Sequence, residues 1–217
     1  MIPTSSAKNQ SQDQSAAAIE PGFEIAVQAF WEKNRSLILL VCAAALLAII
    51  GREGWHYYTA QHELSVRSDY AKAADRPEQL AAFAGANASH PLAGIAYLRL
   101  ADTKYAAAEF RPAAENYSKA AASLKNPALL GRAKIGAALS QIYSDDKSGG
   151  EAALKAIGAD ETLLKSIRAE ALYHLATTAY DAGNAAEVGR LVTEIGKVDP
   201  AGVWSQRATA LLTIKSE

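Results

Sequence analysis

Hydrophobic and polar positions divide this chain into two regimes. From Leu37 to Ile50 the run LILLVCAAALLAII carries no charged side chain, with Arg35 before it and Arg52 just after it. From Pro91 onward, apolar positions recur every three or four residues, which predicts amphipathic helices. No stretch alternates as a half-buried strand does. The first regime suits a segment surrounded by lipid. The second suits a stack of helices with buried faces.

The apolar run has about 14 residues, roughly 21 Å of helix against a hydrocarbon layer of ~30 Å. By length alone a buried core helix or the apolar part of a signal peptide also fits. The flanks favour a span. Arg35 and Arg52 stand about 26 Å apart on a helix and can each snorkel to an interface. Trp31 and Trp55 stand about 36 Å apart, near the headgroup layers, with Phe30, Tyr57 and Tyr58 beside them. About 36 residues precede the run, and Ile49-Ile50-Gly51-Arg52-Glu53 offers no small-residue cleavage site. The predicted anchor region is therefore 21–58, held in membrane lipid through Trp31, Arg35, Leu37, Ile50, Arg52 and Trp55. Ahead of it, Phe23, Val27, Phe30 and Trp31 share one helix face. That stripe reads equally as an interfacial lead-in or as the first turns of the span. Residues 1–20, rich in Ser, Gln, Ala and Asn, are expected to be disordered. Lys33 and Arg35 against Arg52 lean toward a cytoplasmic N-terminus.

Residues 59–217 read as a helical domain. After the span, Trp55 to Ala74 reads as a helix that leaves the bilayer and enters the domain, Pro77 starts a short helix to about Gly85, and Asn87 to Pro91 form a loop. Helix pairs follow. In the clearest, Leu172, Leu175, Ala176 and Ala179 lie on a first helix, Asp181-Ala-Gly-Asn184 makes the turn, and Val188, Val192 and Ile195 lie on a second. Tyr97, Leu100 and Ala101, then Ala113, Tyr117 and Ala120, repeat that pattern without gaps. Between them Pro127 to Gly158, with Ile135, Leu139 and Ile142, reads as a degenerate pair with a long turn from Ser144 to Gly150. Ala201 to Ile214, carrying Trp204, Ala208, Leu211 and Leu212, reads as a closing helix that caps the exposed end. The spacing resembles the tetratricopeptide repeat. The expected fold is all-α: a single N-terminal transmembrane helix followed by a tetratricopeptide-like helical-hairpin solenoid of about eight to nine helices.

The segment Ala29-Phe-Trp-Glu-Lys-Asn34, the span, the exit Gly54-Trp-His-Tyr-Tyr58 and the stretch from Leu100-Ala101 through Tyr117 together resemble the YfgM-like family. Its members are ancillary subunits of the SecYEG translocon. The resemblance implies a single-pass protein of the bacterial inner membrane with its repeats in the periplasm. It also implies partners among translocon subunits and periplasmic chaperones. The alternative is an assembly factor for the envelope or for a secretion or pilus machine, using the same repeats.

Charge and chemistry narrow the classes. From Thr59 onward 18 Lys and Arg face 18 Asp and Glu, so no basic excess marks a nucleic-acid binder. The one cysteine, Cys42, lies inside the apolar run and excludes an intrachain disulfide. His56, His62, His90 and His174 have no metal-ligand spacing, Gly149-Gly150 precede no GK[ST], and Asp145-Asp146 lack the alternate oxygen ligands of a calcium loop. The expectation is a non-enzyme without cofactor, metal or small-molecule substrate. In tetratricopeptide repeats the first helix of each pair lines the concave face. The positions expected there are Leu98, Asp102 and Tyr105 in one copy and Tyr173, Thr177 and Tyr180 in the other, either as a partner-binding surface or, for the tyrosines, as packing between repeats. Leu98, Asp102 and Thr177 do not supply the basic and Asn residues of a carboxylate clamp.

Overall fold

The computed structural model describes residues 21–213; the expected disordered tail 1–20 and the end of the closing helix at Ile214 lie outside the described residues. Among the described residues there are nine helices and no strand. They are α1 (Pro21–Ala73), α2 (Pro77–Ala86), α3 (Pro91–Ala106), α4 (Phe110–Ser123), α5 (Pro127–Tyr143), α6 (Lys147–Ala159), α7 (Lys165–Asp181), α8 (Ala185–Val198) and α9 (Val203–Thr213). Contacts divide the chain into two compact units, the second beginning at His62.

The first unit holds α1 up to Gln61; at 53 residues in all, α1 is far longer than the ~20 that a span needs. An 18-residue window within it has a mean hydropathy of 2.1, so by length and composition α1 is able to cross a membrane. The anchor residues named from the sequence are all exposed, Leu37 and Ile50 each at 65 %. Phe23, Val27 and Trp31 share one apolar face, as their spacing predicts.

In the second unit the last turns of α1 join the helices that follow. Val66 and Ala73 are buried with Leu80, Phe83 and Ala84 of α2, and Tyr70 meets Phe83 edge-on at 5.5 Å. His90 has a defined job at the start of α3. Its Nδ1 accepts the Leu92 N–H at 3.1 Å, so Nε2 carries the proton and donates to Glu63 at 2.9 Å. One imidazole thus caps α3 and ties it to α1, and the bond holds the Glu63 carboxyl below its usual range.

Helices α3–α4, α5–α6 and α7–α8 are three hairpins in one register. Gly94, Gly131 and Ala169 are equivalent, as are Ala96, Ala133 and Ala171, and then Ala101, Ala138 and Ala176; all are buried. Small side chains at these positions let backbones approach closely. A Cβ on Gly131 would stand 2.6 Å from the Ile167 side chain, and one on Gly150 would collide with the Ala138 carbonyl oxygen. Each hairpin reverses through three residues, and the middle one is left-handed: Ala108 at φ 57°, Asp145 at 71° and Gly183 at 74°. The same closing bond recurs, with the N–H of Glu109, Asp146 and Asn184 donating to the carbonyl of Lys104, Gln141 and Ala179.

This register corrects the reading of α5–α6 as degenerate. The turn ends at Asp146 rather than Gly150, because the Asp146 carboxylate accepts the Gly149 N–H at 3.1 Å and caps α6. Gly149 and Gly150 are the first turn of that helix, glycine there because neighbouring atoms leave no room for a side chain. At the far end α9 covers α7 and α8, with Ala208 buried beside Leu191 and Ile195 and with Trp204 and Leu211 packed over them. Leu212, expected in that seam, is 48 % exposed, so the covering face of α9 is narrower than its apolar sequence.

Candidate partner-binding groove

The first helices of the three hairpins, α3, α5 and α7, line a groove of about 330 Å³. α3 contributes Asp102 and Tyr105, α5 contributes Arg132, Ile135, Gly136 and Leu139, and α7 contributes Glu170 and His174. Tyr117 reaches in from α4.

One hydrogen-bond chain fixes the near wall. Tyr117 Oη donates to Asp102 Oδ1 at 2.7 Å, and Arg132 Nη2 donates to Asp102 Oδ2 at 2.7 Å, joining α4, α3 and α5. Gly136 leaves the space the Tyr117 ring fills. Burial, reinforced by the Asp102 charge, pushes the Tyr117 hydroxyl well above its ordinary range and keeps it a donor. The phenol of Tyr105 is raised as well, by burial and then by Tyr143.

The far wall is set by α7. Burial pushes the Glu170 carboxyl up, while the charges of Arg132 and Arg207 pull the other way. Glu170 accepts no hydrogen bond and forms no ion pair among the described residues. Burial lowers His174 and keeps its imidazole neutral; the ring lies 6.0 Å from Tyr173 and 6.1 Å from Trp204. Among the described residues, no three His, Cys, Asp or Glu side chains are gathered as metal ligands would be.

The structure brings together only part of the expected surface. Asp102 and Tyr105 line the groove. Leu98 does not: it is 5 % exposed and packs with Ala113, Tyr117 and Leu124 inside the α3–α4 hairpin, which corrects its assignment to an outward face. Tyr173 stacks on Trp204 at 5.2 Å, Thr177 donates to the His174 carbonyl within its own helix, and neither they nor Tyr180 belong to the lining. Tyr105 is also a packing residue, edge-on to Phe110 at 5.4 Å and to Tyr143 at 6.3 Å. Arg132, Gly136 and Glu170 were not singled out from the sequence, and His174 was weighed there only as a metal ligand. Extending the expected positions through α5 in the common register lands on Ile135 and Leu139, which do line the groove. Arg132 and Gly136 of α5, with Glu170 and His174 of α7, lie on the neighbouring stripe, at positions equivalent to Ile95 and Arg99, which the expected set does not include.

A second groove, also about 330 Å³, lies between α6 and α8 over Leu172, Leu175 and Leu191. On its rim Arg190 bonds both Glu187 and Glu194 at 2.7 Å.

No curated protein and no solved structure matches this chain. A family model described as a tetratricopeptide repeat-like domain matches residues 28–170, from within α1 through the start of α7. With hairpins of common register, small residues at their seams and a groove along their first helices, the chain belongs to the tetratricopeptide repeat-like domain family.

Proposed function

We propose that this chain is a non-catalytic, membrane-anchored scaffold for protein–protein interaction, an accessory of protein export. The observation that carries the reading is the groove along α3, α5 and α7, where polar groups fixed by their own network stand beside aliphatic and aromatic surface. Rigid first-helix surfaces of that kind suit an extended segment of another protein. Support for the export role comes from the apolar window of α1, the basic residues Lys33 and Arg35 on its N-terminal side, and the resemblance of residues 29–34 and 54–58 to the YfgM-like family. On this reading α1 crosses the bacterial inner membrane with the N-terminus in the cytoplasm. The hairpins stand in the periplasm and meet translocon subunits and periplasmic chaperones.

In-cell photocrosslinking tests it, with probes at Tyr105 and Leu139 in the groove and a control probe at Tyr180. Translocon subunits or periplasmic chaperones captured from the groove positions and not from the control are the expected products. Envelope-synthesis or pilus proteins in their place would favour the assembly-factor alternative. Capture from Tyr180 alone overturns the groove as the working surface.

A further inference from the structure

The groove along α3, α5 and α7 holds one charged group that makes no hydrogen bond and no ion pair among the described residues. Each oxygen of Asp102 already accepts a hydrogen bond, one from Tyr117 and the other from Arg132. Glu170, in the same lining, has no hydrogen bond and no ion pair among the described residues, although Arg132 and Arg207 are near enough for their charges to act on it. The contrast with the α6–α8 groove is direct, because there Arg190 satisfies two glutamates. A half-buried carboxylate has given up water and keeps its acceptor sites, so a donor that reaches it is favoured. Within the lining Arg132 is engaged by Asp102, while Arg207 acts on Glu170 only through its charge from outside the lining, so Glu170 is the charged group there without a bonded partner and a basic guest is favoured over an acidic one. Beside Glu170 the groove offers the aliphatic surface of Ile135 and Leu139 and the ring of Tyr105. Lysine and arginine match both halves of this surface, with an apolar stem and a cationic donor at its end.

We propose that the groove takes an extended segment of a partner protein that presents a lysine or arginine side chain, the stem along Ile135 and Leu139 and the cationic head on the Glu170 carboxylate. The proposal rests on the reading of this groove as the partner-binding surface, and it names what the partner must carry.

The test uses the full chain in detergent micelles and fluorescein-labelled Ala/Leu peptides identical except at the central position, which is Lys, Arg, norleucine or Glu. Norleucine keeps the stem and removes the charge. The Lys and Arg peptides should bind about tenfold tighter than the norleucine peptide, with Glu weakest, as a charged hydrogen bond implies. Raising salt from ~50 to ~500 mM should compress that preference. Glu170→Gln should erase it, and Glu170→Lys should turn it toward the Glu peptide, with circular dichroism unchanged in both variants. Equal binding of the Lys and norleucine peptides, or a Lys preference that survives Glu170→Gln, overturns the assignment. If those two peptides bind equally and Leu139→Arg abolishes both, the groove remains a binding surface and only the cationic head is wrong. Absence of binding by every peptide overturns the assignment as well. The groove reading falls with it only if the crosslinking probes at Tyr105 and Leu139 also capture nothing.

Discussion

Gly136 of α5 lies against the ring of Tyr117: a Cβ at Gly136 would stand 2.7 Å from Cε1 and Cζ. The missing side chain of one helix is what lets the tyrosine of another reach Asp102. Gly136→Ala should push the ring away and cost about 1–3 kcal/mol through overpacking, reduced by the better helix propensity of alanine. Tyr117→Phe keeps the ring and removes the hydroxyl, for about 1–2 kcal/mol. Urea unfolding of both single variants and the double variant checks the link. If the glycine acts through that hydroxyl, the two losses will not add.

The three hairpin turns share a left-handed central residue but not its identity. Ala108 sits at φ 57° where Gly183 sits at 74°. A non-glycine residue there costs roughly 1–2 kcal/mol, partly offset by the larger unfolded-state entropy of glycine. Ala108→Gly should therefore stabilise the protein by about 0.5–1 kcal/mol, and Gly183→Ala should destabilise it by a similar amount. Opposite shifts in denaturation midpoint at unchanged slope are the expected result.

Two groove groups should make stability respond to pH in opposite senses. Glu170 is raised above its ordinary 4.5 by burial, so the folded state takes up its proton more readily than the unfolded chain. Its contribution is complete below 4.5 and is lost as pH rises through the raised value. Glu170→Gln should therefore raise the Tm at pH 7.5, and the gain should shrink toward zero near pH 4.5. His174 is lowered from 6.5 by burial, so its contribution is present above that value and is lost as pH falls through the lowered one. Relative to wild type, His174→Gln should lose less stability on acidification. Thermal scans of the three proteins from pH 7.5 to 4.5 separate the two effects.

The orientation of α1 has its own test. A reporter active only after export, fused beyond Glu217, should be active. Lysines placed at Glu53 and Gly54 should weaken or invert that result, because basic residues flanking a span favour the cytoplasmic side.

The sequence showed most where apolar spacing and small residues agree. Ala101 and Ala176 marked two hairpins at once, and the helical limits fell close to Pro77, Pro91 and Pro127, where proline starts a helix. It misled where one residue type serves two physical roles. Gly149 and Gly150 look like a turn, but they are helical and are glycine for lack of space, while the residue that turns is Asp145. That misreading set α5 aside as degenerate and removed the middle wall of the groove, with Arg132 and Gly136 on it. Leu98 shows the converse limit. Its apolar character suits a partner surface and a hairpin interior equally, and only the packing of α4 against α3 decides between them. The link from Glu63 to His90 spans 27 positions and leaves no periodic trace.

Within the second unit, α2 to α9 touch only helices one or two places along the chain. Each hairpin can therefore close as soon as its own second helix is present and then serve as the template for the next. A chain delivered N-terminus first need not hold its early segments open for a distant partner. The last to be secured are α7 and α8, which wait for α9; truncation before Val203 would leave the earlier hairpins formed and the C-terminal one uncovered.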